Sequence, residues 1–133
     1  MSVEQNRIWG IHTKDDNLFL QQNVIAIGWK DLGDLSKINP DRNSFMDKYI
    51  ETYPNDKKRS IAVCVGMLYR FVQEVQIGDY IVFPSKIDRM INIGRVVGDY
   101  VYNPTAAEYV QQHKVKWLKR LQEHHFHKEH YTK

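Results

Sequence analysis

Apolar positions alternate at both ends of the chain and fall at helical spacing in the middle. Residues 7–13, RIWGIHT, put Ile8 and Gly10 on one face of an extended segment and Trp9 and Ile11 on the other, which predicts a first strand. Residues 14–17 read as a polar turn, and Phe19 and Leu20 as a short connection. Residues 24–29, VIAIGW, are a β-favouring run and predict a second strand. Gly, Asp, Asn and Pro recur through residues 30–43, a loop. Ser44 and Asp47 have capping-box spacing and predict a helix that ends near Tyr53 and Pro54. Ile61, Val65, Leu68, Val72 and Val75 then form a helical stripe suited to packing. Gly66 inside that stripe implies close packing, because glycine costs a helix about 1 kcal/mol relative to alanine.

Beyond Gly78 and Asp79 the period returns to two. Residues 80–83 and 90–97 predict a hairpin, residues 100–102 a short strand, residues 104–112 a short helix, and residues 115–118 the last strand. This order predicts an α+β fold: a small curved mixed sheet or pseudo-barrel of five or six strands, flanked by two or three helices. Residues 1–118 are expected to form one domain, and residues 119–133 a polar, His-rich tail.

Composition narrows the function classes. The 133 residues are 42% hydrophobic and 26% charged, within the usual range for a globular domain. No apolar run reaches the ~20 residues that span a bilayer, and no signal-peptide pattern stands at the start, so no membrane partner and a cytoplasmic location are expected. The single cysteine, Cys64, excludes an internal disulfide and a multi-cysteine zinc site. A net charge of +3 permits contact with nucleic acid without demanding it.

Catalytic signatures are absent: there is no nucleophile elbow, P-loop or zinc-protease motif. Asp15 with Asp16, and Asp31 with Asp34, are paired carboxylates better suited to turns. His124, His125, His127 and His130 have metal-compatible spacing but lie in the tail. No catalytic residue, metal or other cofactor is therefore expected.

The aromatics carry more information. Trp9, Trp29, Tyr80, Phe83, Tyr100, Tyr102 and Trp117 all fall on predicted strands or their ends. A base held between aromatic faces gains about 1–3 kcal/mol per stacking contact. Trp9 and Trp29 are candidate walls, and Asp31, Asp34, Leu35 and Ser36 candidate edge contacts. The competing reading puts both tryptophans in the core. Lys86, Arg89, Arg95, Lys114 and Lys116 are candidate phosphate contacts.

Taken in order, IWGIHT, VIAIGWKDLGDLS, LYRFVQEVQIGDYIVFPSK, INIGRVVGDYVYN and HKVKWL resemble the N-terminal domain of Mrr-type restriction endonucleases, over residues 8–118. That domain is similar to the PUA-like superfamily, which includes EVE and YTH domains. The resemblance implies a non-enzymatic reader in a restriction or defence context that flips a modified base, a modified cytosine in DNA ahead of RNA, into an aromatic pocket. Trp9 and Trp29 match aromatic positions of the family motif, and Asp34, Leu35 and Ser36 its loop. Phe83 and Ser85 are added as a rim. The restriction enzymes carry a separate nuclease domain after the reader and this chain carries none, which leaves three expectations: a fragment, a stand-alone protein, or a nuclease domain or subunit acting in trans as partner. The rival expectations are an RNA-binding PUA-like domain and a protein-interaction or regulatory module.

Overall fold

A computed structural model describes residues 6–122. In chain order the elements are β1 (Ile8–Gly10), α1 (Asp16–Gln22), β2 (Val24–Ile27), α2 (Arg42–Thr52), α3 (Lys58–Tyr69), β3 (Tyr80–Pro84), β4 (Met90–Val96), β5 (Val101–Tyr102) and β6 (Gln111–Gln122). The expected α+β class is observed, with a mixed, curved sheet. The chain divides into two compact units: the described residues of the first are 6–26, 76–99 and 113–122, and those of the second 27–75 and 100–112.

The first unit is built on the sheet, in the order β1-β3-β4-β6-β2. β1 runs parallel to β3, while β3, β4 and β6 are successively antiparallel. Ile81, Phe83, Val96 and Val115 are buried along this sheet. Helix α1 covers it: the Phe19 ring lies 5.0 Å from that of Phe83, and Trp117 Nε1 donates to the Phe19 carbonyl at 3.0 Å. Each such fully buried phenyl group contributes about 1.5–3 kcal/mol.

Two buried carboxylates stitch this unit together. Asp79 accepts from Trp9 Nε1 at 2.9 Å, the Gln76 amide at 2.9 Å and the Arg7 amide at 3.1 Å, which fastens β1 beside the start of β3. Asp16, in the first turn of α1, accepts from Ser85 Oγ at 2.9 Å and from the amides of Lys86 and Ile87, so it closes the β3–β4 turn.

The second unit is helical. Leu32, Leu35, Phe45, Tyr49, Val65 and Leu68 form its buried core, with Ile61 and Val72 packed against it. The stripe read from the sequence therefore faces inward. Gly66 is buried because arginine side chains occupy the space beside it: an added Cβ would lie 3.2 Å from Arg70 Nη1. Beyond Tyr69 the helix widens into a π-helical turn, Arg70–Glu74. β5 pairs with the first two residues of β6.

Several boundaries differ from expectation, each for a local reason. Residues 14–20 are not turn and connection: Asp15 caps α1 by accepting from the Leu18 amide, and seven residues are too few to display a helical period. β2 stops at Ile27, and residues 30–43 include two 3₁₀ turns, Lys30–Leu32 and Leu35–Lys37. The cap of α2 is Asp41, not Ser44, whose amide and hydroxyl both donate to Asp41. Residues 104–112 hold no helix. Asn103 accepts from the Thr105 amide and hydroxyl, and its own amide reaches the Val110 carbonyl, which makes this segment a hairpin loop. The last strand starts at Gln111 and continues to Gln122, past residue 118. The histidines of the tail lie outside the described residues. No helix among those residues is long and apolar enough to cross a membrane.

Burial pushes the Asp79 carboxyl up, but the donors from Trp9, Gln76 and Arg7 outweigh it and hold it below its ordinary value of 3.8. A depressed folded-state value means stability that is present above the unfolded value and lost as pH falls through the folded one. Asp79→Asn is therefore expected to lower stability at neutral pH by about 1–3 kcal/mol. It is also expected to flatten the acid limb of the stability curve, read by urea unfolding at stepped pH.

Candidate functional site

Strand register decides which side chains of the first unit share a face. Directly paired residues point the same way, and successive residues alternate. On β3 and β4 Tyr80 faces Arg95, and on β4 and β6 Arg95 faces Lys116. Lys114 lies two residues from Lys116 along β6 and so shares that face. Arg95, Lys114 and Lys116 are all exposed. The Arg95 guanidinium lies 5.3 Å from the centre of the Tyr80 ring, and its Nε donates to the Gly78 carbonyl at 3.2 Å. A cation directly opposite another on neighbouring strands is unfavourable unless an anion lies between them. Among the described residues no carboxylate forms a salt bridge with either. The row therefore presents several positive charges on one exposed face of neighbouring strands.

The opposite face of the sheet presents a cleft of about 360 Å³. Leu20 and Asn23 border it from the α1 end, with Asn92 from β4 and Trp117, Leu118, Lys119 and Arg120 from β6. Two features of sequence create it. Gly94 pairs with Trp117, and a Cβ there would lie 2.7 Å from Trp117 Cε3, so the glycine lets the indole lie across the strand. One extra residue, Leu118, separates Trp117 from Lys119 where β4 continues without interruption, and this bulge puts Arg120 opposite Asn92. Asn92 is fully buried. Its amide nitrogen makes two long bonds, each 3.4 Å, to the Phe83 and Met90 carbonyls. Among the described residues its Oδ1 has no hydrogen-bond partner.

The residues expected to form a base pocket are placed as follows. Trp9 lies in the first unit and Trp29 in the second. Trp9 is half-buried, with its indole N–H on Asp79 and the Arg7 guanidinium 5.7 Å from the ring centre. Trp29 packs against the core cluster of the second unit. Its backbone is left-handed, φ 59°, a conformation that costs a non-glycine residue about 1–2 kcal/mol. The packing of the ring against the cluster holds it there. Burial, then the Asp56 carboxylate that accepts from Tyr49 at 2.6 Å, push the Tyr49 phenol upward.

Asp34 caps the second 3₁₀ turn, accepting from the Ser36 amide and hydroxyl, and Asp31 is exposed. Leu35 is a core residue whose amide donates to the Tyr100 hydroxyl at 3.0 Å. Tyr100 in turn donates to Gln111, whose amide reaches the Gly33 carbonyl at 2.9 Å. Phe83 and Ser85 are corrected from rim to interior: Phe83 is sealed between Phe19 and Trp117, and Ser85 is spent on Asp16. Lys86 and Arg89 are exposed in the β3–β4 turn. Of the five expected phosphate contacts, the register thus brings together Arg95, Lys114 and Lys116. Sequence reasoning passed over Asn92, although a lone amide between Ile91 and Ile93 was the available signal. Among the described residues no group of three or more metal-ligating side chains gathers.

A family model described as a domain of unknown function (DUF8426) matches residues 2–133 of the chain. No curated protein and no solved structure matches it.

Trp29→Phe keeps an aromatic ring of smaller volume in the cluster and is expected to cost about 1 kcal/mol of stability. Trp29→Ala also removes the packing and is expected to cost about 3 kcal/mol. Chemical unfolding of the two variants reads the difference.

Proposed function

We propose that this chain, which belongs to the DUF8426 family, is a nucleic-acid-binding module that receives a phosphate backbone along the Tyr80–Arg95–Lys116 row. The observation that supports this reading is the placement of Arg95 directly opposite Lys116, with Lys114 on the same face and, among the described residues, no carboxylate bridged to any of them. A phosphate between the two strands turns a repulsive pair into a bridged one. Tyr80, under the Arg95 guanidinium, adds a flat surface beside the cations. Contacts of this kind position a polymer and do not read its sequence. The resemblance favours modified DNA as the polymer, with cleavage left to a separate nuclease subunit.

The test is a titration at stepped salt against duplex DNA with plain, 5-methyl or 5-hydroxymethyl cytosine, and against duplex and single-stranded RNA. The pair Arg95→Glu with Lys116→Glu is expected to weaken binding at least tenfold and to reduce the salt slope by about two. Because both side chains are exposed, folding is expected to persist. Undiminished binding by this double variant, or no binding at low salt, would sink the reading.

A further inference from the structure

We propose that the guanidinium groups of Arg42 and Arg70, which meet over Gly66 in the second unit, form a binding site for a phosphate monoester. Arginines that cover apolar surface do so with their aliphatic stems and keep the charged end in water. Here the charged ends lie over the helix. A Cβ on Gly66 would stand 3.2 Å from Arg70 Nη1, 3.7 Å from Arg70 Nη2 and 3.5 Å from Arg42 Nη1. Two cations therefore face one point, and a side chain there would press on both. Gly66 is buried and Arg70 half-buried, but the Arg42 side chain is 51% exposed, which gives a ligand access from the Arg42 side.

The donors of this pair are unspent. An arginine carries five N–H donors and no acceptor. Among the described residues neither guanidinium makes a hydrogen bond, and Glu74 is the one carboxylate bridged to either. Its Oε2 is 3.6 Å from Arg42 Nη2, beyond hydrogen-bond length. A carboxylate four residues on from an arginine is an ordinary helical partner for it. Here the turn that carries both, Arg70–Glu74, is π-helical, and Glu74 reaches Arg42 instead. Widened turns of this kind recur at functional sites. Arg42 is also steadied by an aromatic face: its guanidinium carbon lies 4.8 Å from the centre of the Tyr69 ring, whose hydroxyl donates to the Pro40 carbonyl at 3.3 Å.

The geometry restricts the anion. A carboxylate presents two coplanar oxygens and is satisfied by one guanidinium fork. A tetrahedral phosphate presents oxygens to two forks at once, and a monoester carries a charge of about −1.5 to −2 at neutral pH. A phosphodiester carries a single charge and matches half of the pair. Val63 and Met67, three residues before Gly66 and one after it on α3, are exposed and offer apolar contact to the group that bears the phosphate. The chemistry is the same for a small phosphate ester and for a phosphorylated side chain of a peptide. The inference does not rest on the cation row of the sheet, which belongs to the first unit.

The experiment uses the full chain, labelled with ¹⁵N, and follows the Arg70 Nε–H and the Gly66 amide at neutral pH. The probes are phosphoserine, acetate, and a short leucine-containing peptide with and without phosphoserine. Saturable shifts at both groups with phosphoserine are expected, with acetate and the unphosphorylated peptide about tenfold weaker or more. A phosphopeptide that binds more tightly than phosphoserine would identify a peptide-borne phosphate, and equal affinities a small ester; either supports the site. Arg70→Gln is expected to abolish the Gly66 shift with little change in thermal midpoint, because no described residue hydrogen-bonds its guanidinium. Should that variant fail to fold, Arg42→Gln, at the exposed start of α2, is expected to do the same. Glu74→Gln removes the carboxylate that competes for Arg42 and is expected to tighten phosphoserine binding about threefold, a gain that a purely structural role for the pair does not produce. Equal shifts with phosphoserine and acetate, silence at Arg70 with every phosphorylated probe, undiminished binding by Arg70→Gln, or no gain in Glu74→Gln would overturn the site.

Discussion

The bulge at Leu118 sets the chemistry of both faces of the sheet. Without an extra residue in β6, the pairing beyond Gly94 would be offset by one, and a one-residue offset exchanges the two faces of a strand. As it stands, Lys116 pairs with Arg95 on one side of the bulge and Arg120 with Asn92 on the other. Trp117, at the bulge itself, crosses Gly94 and rests on Phe83. The cation row and the cleft are therefore two consequences of the same local irregularity. Bulges also bend the strand that carries them, in keeping with the curvature of this sheet.

Buried carboxylates perform what a larger core would do elsewhere. β1 has only three residues, too few for ladder hydrogen bonds alone to hold it. Asp79 supplies the rest by gathering donors from Arg7, Trp9 and Gln76. Asp16 does the same for the β3–β4 turn. Each carboxylate gathers N–H or O–H donors, and the Arg7 charge adds to them at Asp79, which explains how each stays buried. In the second unit the neutral Tyr100–Gln111 network holds the residue 33–35 loop in the same manner.

The candidate site was legible only in fragments. Arg95 stood out as a cation in an apolar strand, and Lys114 and Lys116 alternated correctly along β6. That the three share a face follows from register, which no local pattern states. Trp9 and Trp29 looked like a pair because both end up near strands, yet the Trp9 indole N–H is committed to Asp79 of its own unit and Trp29 packs against the core cluster of the other. Asn92 and Trp117 were present in the sequence as a polar intruder and a core aromatic. Nothing local said that they line one cleft.

The sequence by itself determined the α+β class, the inward stripe of α3, the β3–β4 hairpin and the crowding at Gly66, because these depend on periods and turn residues within a short window. It misplaced α1, the cap of α2 and residues 104–112, where a single Asp or Asn side chain bonding to nearby backbone decides between helix and turn. Tertiary structure alone decided the parallel pairing of β1 with β3, the position of the bulge, and hence which charges oppose one another and which acceptor is left without a donor. Those outcomes depend on contacts between residues well separated in the chain, such as Trp9 with Asp79 for the first and Arg95 with Lys116 for the others, and a reading confined to neighbours contains no information about them.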